Sequence, residues 1–342
     1  LLIEWNQYSD EYQKQQSELY TAAITEPGLV TNESVAAPTS QVINDGIPSV
    51  NQETNPLSVL LDDSETFNLS TDALDLVISA DGGDVVSASL PKFPVRLDTP
   101  DQPFRLLENN NLRRYVAQSG LIGPDGIDAS GNRARYASQG VSNNGDGSHT
   151  LTLAWKGNDP LGIQVYKRFT AHDDRYDVDV SFDIRNGGSS VASVTSFAQL
   201  KRDNTQAPDG NTGFGVSPYL GAALTQPDER YTKLSFSDLN DEPFSKRLPA
   251  GWVAILQHYF VSAWIPSQKA SHDYFASQLS NGDNVIGYKN QNVDIAPGSA
   301  ATITQTLYVG PKDQVALAEL AENLDLVIDY GWLWWLAQPL FW

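Results

Sequence analysis

The chain has 342 residues, of which 40% are hydrophobic and 10% aromatic, a composition typical of a folded protein and too apolar for a wholly disordered one. Its 42 acidic residues against 22 lysines and arginines give a formal net charge of -20, which argues against nucleic acid as a partner because a polyphosphate would be repelled. The sequence contains no cysteine, which excludes disulfides, thiolate metal sites and a cysteine nucleophile.

Both ends of the chain carry clusters of aromatic and aliphatic residues. The first eight residues include Leu1, Leu2, Ile3, Trp5 and Tyr8, and the last thirteen include Tyr330, Trp332, Leu333, Trp334, Trp335, Leu336, Phe341 and Trp342. Trp and Tyr concentrate at the headgroup level of membranes, so we expect both ends to lie at a membrane boundary. For the C-terminal cluster, a core strand or helix is the alternative. No window supplies the roughly 20 apolar residues of a membrane-spanning helix.

Residues 21–56 differ in composition from the rest of the chain. From Thr21 to Pro56 there is no aromatic residue and no Lys or Arg, whereas Ser, Thr, Asn, Pro and acidic residues recur. Such a stretch buries too little apolar surface to offset its ordering entropy. We therefore predict a flexible acidic tether over 21–56, between an N-terminal anchor with a polar extension (1–20) and a folded domain over 57–310.

The dominant pattern in that domain is the alternation of apolar and polar residues. It is clearest in Tyr176–Asp183, where one face would contact a core and the other would contact water. Similar runs lie at Leu74–Ser79, Leu151–Trp155, Val165–Phe169, Val191–Phe197 and Ala301–Val309, separated by Gly, Asn and Asp turns. Many short strands at this spacing predict an all-β antiparallel sandwich.

Two segments depart from the alternation. Gly251–Pro266 is a long apolar, β-branched and aromatic run, which predicts a single strand buried on both faces. After Pro311, which suits a first helical turn, four apolar residues at i, i+3, i+4 and i+7 predict one amphipathic helix: Leu317, Leu320, Ala321 and Leu324. The helix and a strand-like connector, Leu324–Asp329, would occupy residues 311–329.

The sequence offers little catalytic chemistry. The four histidines, His149, His172, His258 and His272, lack metal-ligand spacing, and no phosphate loop or nucleophile elbow is present. The acids of Asp173–Asp183 alternate with core residues, and the loop Gly123–Asp128 has ordinary turn chemistry, so calcium is the less favoured explanation of both. We predict no catalytic residue, cofactor or metal, although a carboxylate pair meeting in space stays open.

Several stretches, in order over residues 70–342, resemble the periplasmic domain of the YidC-type (YidC/Oxa/Alb) membrane-protein insertases of bacteria. They are Leu74-Asp75-Leu76, Gly82-Gly83-Asp84-Val85, Pro103-Phe104, Leu106-Leu107, Ala117-Gln118-Ser119-Gly120-Leu121, Tyr166-Lys167-Arg168-Phe169, Gly251-Trp252-Val253-Ala254, Gln257-His258-Tyr259-Phe260, Ala263-Trp264-Ile265-Pro266, Tyr308-Val309-Gly310-Pro311, Leu324–Trp334 and Gln338-Pro339-Leu340-Phe341. The last two are the most specific to this family.

The resemblance implies a large antiparallel β-supersandwich with a C-terminal amphipathic helix, followed over 330–342 by the start of an amphipathic helix at the membrane interface. It implies a place on the periplasmic face of the bacterial inner membrane and a part in inserting and folding nascent membrane proteins, alone or with the SecYEG translocon and SecDF. It also implies that both ends of the chain contact the lipid bilayer, and that the insertase groove belongs to a membrane domain outside this sequence.

By the same resemblance we expect SecDF-type partners to contact the flank formed by Gly221–Pro266. The candidate contact residues there are Gly221, Tyr231, Trp252, Tyr259 and Trp264. The sequence departs from the family at Leu220–Leu224, where the family often has a basic and an aromatic residue. Two alternatives stay open: a mutarotase-like enzyme would bring two histidines and an acid into one pocket, and a carbohydrate-binding sandwich would show a coplanar row of exposed aromatics.

Overall fold

The computed structural model describes residues 65–96, 98–128, 132–157, 162–205 and 219–328. The predictions for the anchor and tether, and for the interface cluster of residues 330–342, lie outside the described residues. The strands, numbered along the chain, are β1 (Thr66–Ser70), β2 (Asp75–Ser79), β3 (Val85–Arg96), β4 (Thr99–Asn109), β5 (Arg114–Ile122), β6 (Tyr136–Asn143), β7 (Ser148–Trp155), β8 (Ile163–His172), β9 (Asp177–Asn186), β10 (Ala192–Arg202), β11 (Gly221–Leu224), β12 (Thr232–Leu234), β13 (Phe244–Pro249), β14 (Val253–Leu256), β15 (Phe260–Ile265), β16 (Ser271–Gln278), β17 (Asn284–Lys289), β18 (Val293–Ile295) and β19 (Ala300–Pro311).

These strands form two antiparallel sheets that pack face to face. One sheet has ten strands in the order β1-β2-β3-β4-β5-β10-β17-β16-β13, with β18 added beside β10. The other has nine, in the order β12-β11-β14-β15-β19-β9-β8-β7-β6. The main core draws on both sheets, for example Leu90 and Leu200 of the first and Phe169 and Val180 of the second. The predicted all-β sandwich is confirmed.

The strands read from alternation are confirmed where the pattern was clearest. In β8 every second residue is buried, from Ile163 to Ala171, and the residues between are at least partly exposed. The pattern arises because successive side chains point to opposite faces of a strand. In β9, Val178, Val180 and Phe182 are buried whereas Asp179 is exposed; Asp177 departs from the pattern because it is buried and bonds Arg175.

The prediction of one long strand over Gly251–Pro266 was wrong in its topology. The segment is a hairpin of β14 and β15, joined at Gln257-His258-Tyr259 and closed by the Gln257 N–H donating to the Phe260 carbonyl at 3.0 Å. The expected burial on both faces is nevertheless present, since every residue of both strands is buried. Two short strands covered on both sides and one long buried strand share the same apolar pattern.

The C-terminal helix, α1 (Gln314–Leu320), is shorter than predicted and begins later. Pro311 is the last residue of β19, and the helix instead begins at Gln314. Its N-cap is Asp313, whose carboxylate accepts from the N–H groups of Val315 at 2.9 Å and Ala316 at 3.1 Å. This capping satisfies donors that the first turn leaves unpaired. No helix in the described ranges is long and apolar enough to cross a membrane.

The strand-like connector predicted for Leu324–Asp329 is also corrected. Asn323 adopts a left-handed conformation with φ 63°, and a 3-10 helix follows over Leu324–Val327. Leu324 and Val327 are both buried. They are three residues apart, and a 3-10 helix places such residues on one side, so the apolar spacing fits this helix better than a strand.

Candidate functional site

The predicted partner flank, Gly221–Pro266, contains one end of each sheet. Strand β12 ends the nine-stranded sheet and β13 ends the ten-stranded sheet. The two ends are linked by Lys246 of β13, whose ammonium donates to the Gln226 side chain at 3.0 Å. The flank therefore brings together the end strands of both sheets, as far as the described residues show.

Three of the five candidate contact residues are buried in this flank. Gly221, Trp252 and Trp264 are buried, the two tryptophans at 0% and 1% exposure, so the expectation of direct contact through them is corrected. The Trp264 indole N–H donates to the Gln199 carbonyl of the opposite sheet at 3.1 Å. Both rings are large apolar groups whose burial stabilises the core, and each finds an acceptor for its polar atom.

Tyr231 and Tyr259 are partly exposed and remain accessible to a partner. Tyr231 lies 6.4 Å from the Trp252 ring, centroid to centroid, and the Lys233 ammonium lies 5.5 Å from the Tyr231 ring. Tyr259 stacks on His258 at 4.1 Å in the turn between β14 and β15. Tyr231 thus lies beside the buried Trp252, whereas Tyr259 lies in the turn at the other end of the β14–β15 hairpin.

The flank is joined to the C-terminal helices by a second apolar core. The outward face of the β14–β15 hairpin, which includes Ala254, Val261 and Ala263, packs with Leu317 of α1 and Val327 of the 3-10 helix. Trp252 completes this contact, because its indole N–H donates to the Glu322 carbonyl at 3.1 Å. The partner flank and the C-terminal end of the described chain are thus one packed unit.

A buried group of charges joins the sheets at another place, and we call Asp84, Asp128, Arg133 and Lys167 the cross-sheet charge cluster. Arg133 bonds the carboxylate of Asp84 and lies 3.0 Å from the carboxylate of Asp128. Lys167 of the nine-stranded sheet donates to the carbonyls of Gly82 at 2.9 Å, Gly83 at 2.8 Å and Ser119 at 2.9 Å. Every charge in the cluster is paired or hydrogen-bonded, as burial requires.

The local conformation of the β2–β3 turn makes this cluster possible. Gly83 has φ 58°, and a Cβ there would lie 2.9 Å from Cδ of Lys167. Glycine thus permits both the turn and the close approach of the lysine. Burial lowers the pKa of Lys167 to about 7, an effect that nearby Asp84 opposes. Sequence reasoning missed the cluster; its one signal was that Gly82, Ser119 and Lys167 all lie in family-like stretches.

An open cavity of about 560 Å³ lies on the outer face of the ten-stranded sheet. Its charged lining comes from three adjacent strands, where Arg247 of β13 faces Asp273 of β16 and Asp273 faces Lys289 of β17. Arg247 and Asp273 are 3.8 Å apart, N to O, and both are about half exposed. The remaining polar lining includes Thr195 and the amides of residues 290–292.

His149 and His172 are diagonal neighbours in the β7–β8 pair, whereas His258 lies in the β14–β15 turn and His272 lies in β16. His149 is 3.1 Å from Asp173, His272 bonds the Ser267 carbonyl at 2.8 Å, and His258 stacks on Tyr259. Among the hydrogen bonds of the described ranges, no carboxylate is shared by two histidines, which is the arrangement expected of a mutarotase site. Nor do those ranges hold a group of three or more His, Asp or Glu side chains placed to bind a metal ion.

The structure bears on two remaining alternatives, calcium binding by the Gly123–Asp128 loop and carbohydrate binding by a row of exposed aromatic residues. The Gly123–Asp128 loop uses its acids on the backbone: the Asp128 carboxylate accepts from the N–H groups of Leu121 at 2.9 Å and Ala134 at 3.0 Å. The exposed large apolar side chains in the described part of the chain are Val141, Val191, Val315 and Leu326. None of them is aromatic, so the exposed aromatic row of a carbohydrate-binding sandwich is not found there.

The family model and the curated relatives that match this chain carry the same family name. The family model described as "YidC periplasmic domain" matches residues 66–342. A "Membrane protein insertase YidC" of a Marinomonas species is 41% identical over 89% of this chain and 56% of its own length. A second, from Pseudomonas fluorescens, is 39% identical over 100% of this chain and 61% of its own length. The chain thus spans about three fifths of the curated relatives it matches.

The solved structures that match this chain have low sequence identity and TM-scores below 0.5. A galactose mutarotase related enzyme from Lactobacillus acidophilus superposes with a TM-score of 0.48 and 11% identity, over 72% of this chain and 97% of that one. A galactose mutarotase-like protein from Lactobacillus casei gives a TM-score of 0.48 and 9% identity, over 72% of this chain and 100% of that one.

Proposed function

The chain belongs to the YidC periplasmic domain family, and from that premise we propose that it is the periplasmic module of an inner-membrane protein insertase and chaperone. The family match over residues 66–342 carries the proposal. The module binds and scaffolds and has no catalytic role. The whole protein inserts and folds nascent membrane proteins, alone or with SecYEG and SecDF, and this domain lies on the periplasmic face of the membrane.

A scaffolding role is supported by the way the partner flank is built. The β14–β15 hairpin is packed on both faces, by the ten-stranded sheet on one side and by α1 and the 3-10 helix on the other. A surface supported in this way keeps its shape when a partner binds. The last described residue, Ile328, packs against the same core, so the flank is held next to the point where the chain continues.

Partner contact is proposed for the accessible side chains of the flank. Tyr231, Lys233 and Tyr259 provide aromatic and basic groups there, and β12 and β13 are the end strands of the two described sheets. Aromatic residues are enriched in protein interfaces because they bring large contact area at a small entropy cost. Gly221, Trp252 and Trp264 support this surface from inside.

The terminal segments outside the described residues complete the proposal. We propose that residues 21–56 are a tether between the anchor ending in residues 1–20 and the sandwich over 57–310, and that Tyr330–Trp342 lies along the membrane surface. Replacing Trp332, Trp334 and Trp335 with Ser should weaken insertion by the intact protein and leave the melting temperature of the 342-residue chain unchanged. A lower melting temperature would instead assign these rings to the core.

Photo-crosslinking in native membranes tests the proposed partner surface. A photoreactive amino acid would replace Lys233 or Lys246 in the flank, and Asp179 or Arg185 on the open face of β9, in the full-length insertase; all four are exposed. We expect SecDF or SecYEG subunits to be captured from the flank and not from β9. Capture from β9 alone would contradict the choice of surface, and capture from neither would contradict a translocon contact by this domain.

A further inference from the structure

We propose that β13 accepts an added β-strand from a partner, and that the added segment carries two consecutive acidic residues. The inference rests on the proposed function of the flank and specifies how that surface recognises its partner. Binding of this kind uses backbone hydrogen bonds along a free sheet edge for affinity and side-chain positions on the two faces for specificity.

Strand β13 is the most suitable edge among the four sheet ends. Strand β12 has three residues and β1 has five. Strand β6 is interrupted by a register shift between Ser138 and Val141 and by Gly140 with φ 99°. Strand β13 pairs with β16 over six consecutive residues without interruption, so its other edge offers the longest regular template in the described chain.

The two faces of β13 each carry one accessible cation near its middle. Leu248 is buried in the main core, which places Lys246 on the inner face and Arg247 on the outer face because side chains alternate. Arg247 borders the open cavity, and Lys246 is exposed beside the gap between the sheets. An added strand with two consecutive acids would set one carboxylate opposite each cation.

Acidic residues near β13 limit where along the strand an acidic ligand is expected to bind. Asp273 faces Arg247 from β16, and the loop before the strand carries three exposed acids, Asp238, Asp241 and Glu242. The acidic pair is therefore expected opposite residues 246 and 247 and not opposite Phe244. Lysine on a strand edge also discourages pairing with apolar strands, and Pro249 lacks an N–H, so the edge selects a charged ligand and not any extended peptide.

Hydrogen exchange with model peptides tests this mode of binding. The probe is the capped peptide Thr-Val-Thr-Glu-Glu-Thr-Val-Thr added to the 342-residue chain, and its controls are the same peptide with Lys-Lys at the centre and a version with alternate backbone amides N-methylated. We expect the Glu-Glu peptide to slow exchange of amides in Phe244–Leu248. The Lys-Lys peptide should bind weakly, and the N-methylated peptide should give no protection.

Substitutions of Lys246 and Arg247 test whether these two basic residues contact the acidic peptide. Lys246→Gln and Arg247→Gln should each weaken binding of the Glu-Glu peptide by up to about fivefold, the size of one cross-strand charge pair, whereas the matched control Arg185→Gln on β9 should change nothing. Unchanged melting temperatures would show that all three variants are folded.

Three outcomes would overturn the proposal: binding of the Glu-Glu peptide without protection of β13, equal binding of the Lys-Lys peptide, or equal effects of all three variants. The proposed function is tested independently of strand addition. Crosslinking of translocon subunits from Lys233 does not require a strand to be added to β13. Capture from Lys233 together with no peptide-induced protection would leave the partner surface in place and refute strand addition.

Discussion

The two halves of the nine-stranded sheet are built differently. In the half formed by β6–β9, one face packs on the core and the other meets solvent, so that Gln164 and Asp179 are exposed between buried neighbours. In the half formed by β11, β14 and β15, every residue is buried because the C-terminal helices cover the outer face. The covered half carries the partner flank, which shows that the fold reinforces the side of the sheet proposed to bind.

The largest difference between the halves should appear on truncating Trp252. The ring is fully buried against the helix layer, so Trp252→Ala should lower the free energy of unfolding by about 3–5 kcal/mol. Gln164→Ala, in the open half, should change it by less than about 0.5 kcal/mol. Urea denaturation of both variants measures this. Similar losses at the two positions would mean that the helix layer adds no stability to the covered half.

Removing the anchor of α1 should have the next largest effect. Leu317 is buried in the second core, and Leu317→Ala should cost about 2–5 kcal/mol by leaving a cavity under the helix. Val315 lies on the same helix and is 70% exposed, so Val315→Ala is the matched control and should be nearly neutral. Chemical denaturation distinguishes the two. A neutral Leu317→Ala variant would show that α1 rests on the sheet without stabilising it.

The cross-sheet charge cluster predicts a pH dependence in the open half. Burial lowers the pKa of Lys167 to about 7, whereas an unfolded lysine titrates near 10.4. Between these values the unfolded chain holds more protons on this group, so the free energy of unfolding should rise with pH, by up to about 1.4 kcal/mol per unit. Lys167→Met should remove this contribution to the slope, and Lys156→Met, at an exposed lysine, should retain it.

Unfolding measurements from pH 7 to pH 10 compare the slopes directly. Equal slopes for the unsubstituted chain and Lys167→Met would mean that the three carbonyl acceptors of Gly82, Gly83 and Ser119 hold the ammonium charged through this range.

The smallest predicted effect concerns the helix cap. Asp313 accepts two N–H groups of the first turn of α1, so Asp313→Ala should cost about 1 kcal/mol, and Asp313→Asn should recover most of it. Glu319→Ala, on the same helix, serves as a control. If Asp313→Asn is as destabilising as Asp313→Ala, the charge of the carboxylate matters more than its capping bonds.

The sequence predicted the open half well and the covered half only in part. Alternation located β8 and β9 because their two faces meet different environments. In Gly251–Pro266 both faces are apolar, so nothing in the pattern distinguished one strand from a hairpin, or a buried Trp252 from one at an interface. The charge cluster could not be predicted, because Lys167 and Gly82 are 85 residues apart and meet only when the sheets pack.

Native-state hydrogen exchange tests most directly whether the partner flank and the C-terminal helix form one unit. The amides to compare are those of Val253–Leu256, of Phe260–Ile265, and of Leu317 and Ala321 in and after α1. We predict that all three groups open with the same free energy, and that Leu317→Ala lowers this value for all of them by the same amount. Opening of α1 at a much lower free energy, with Leu317→Ala affecting α1 alone, would contradict the account.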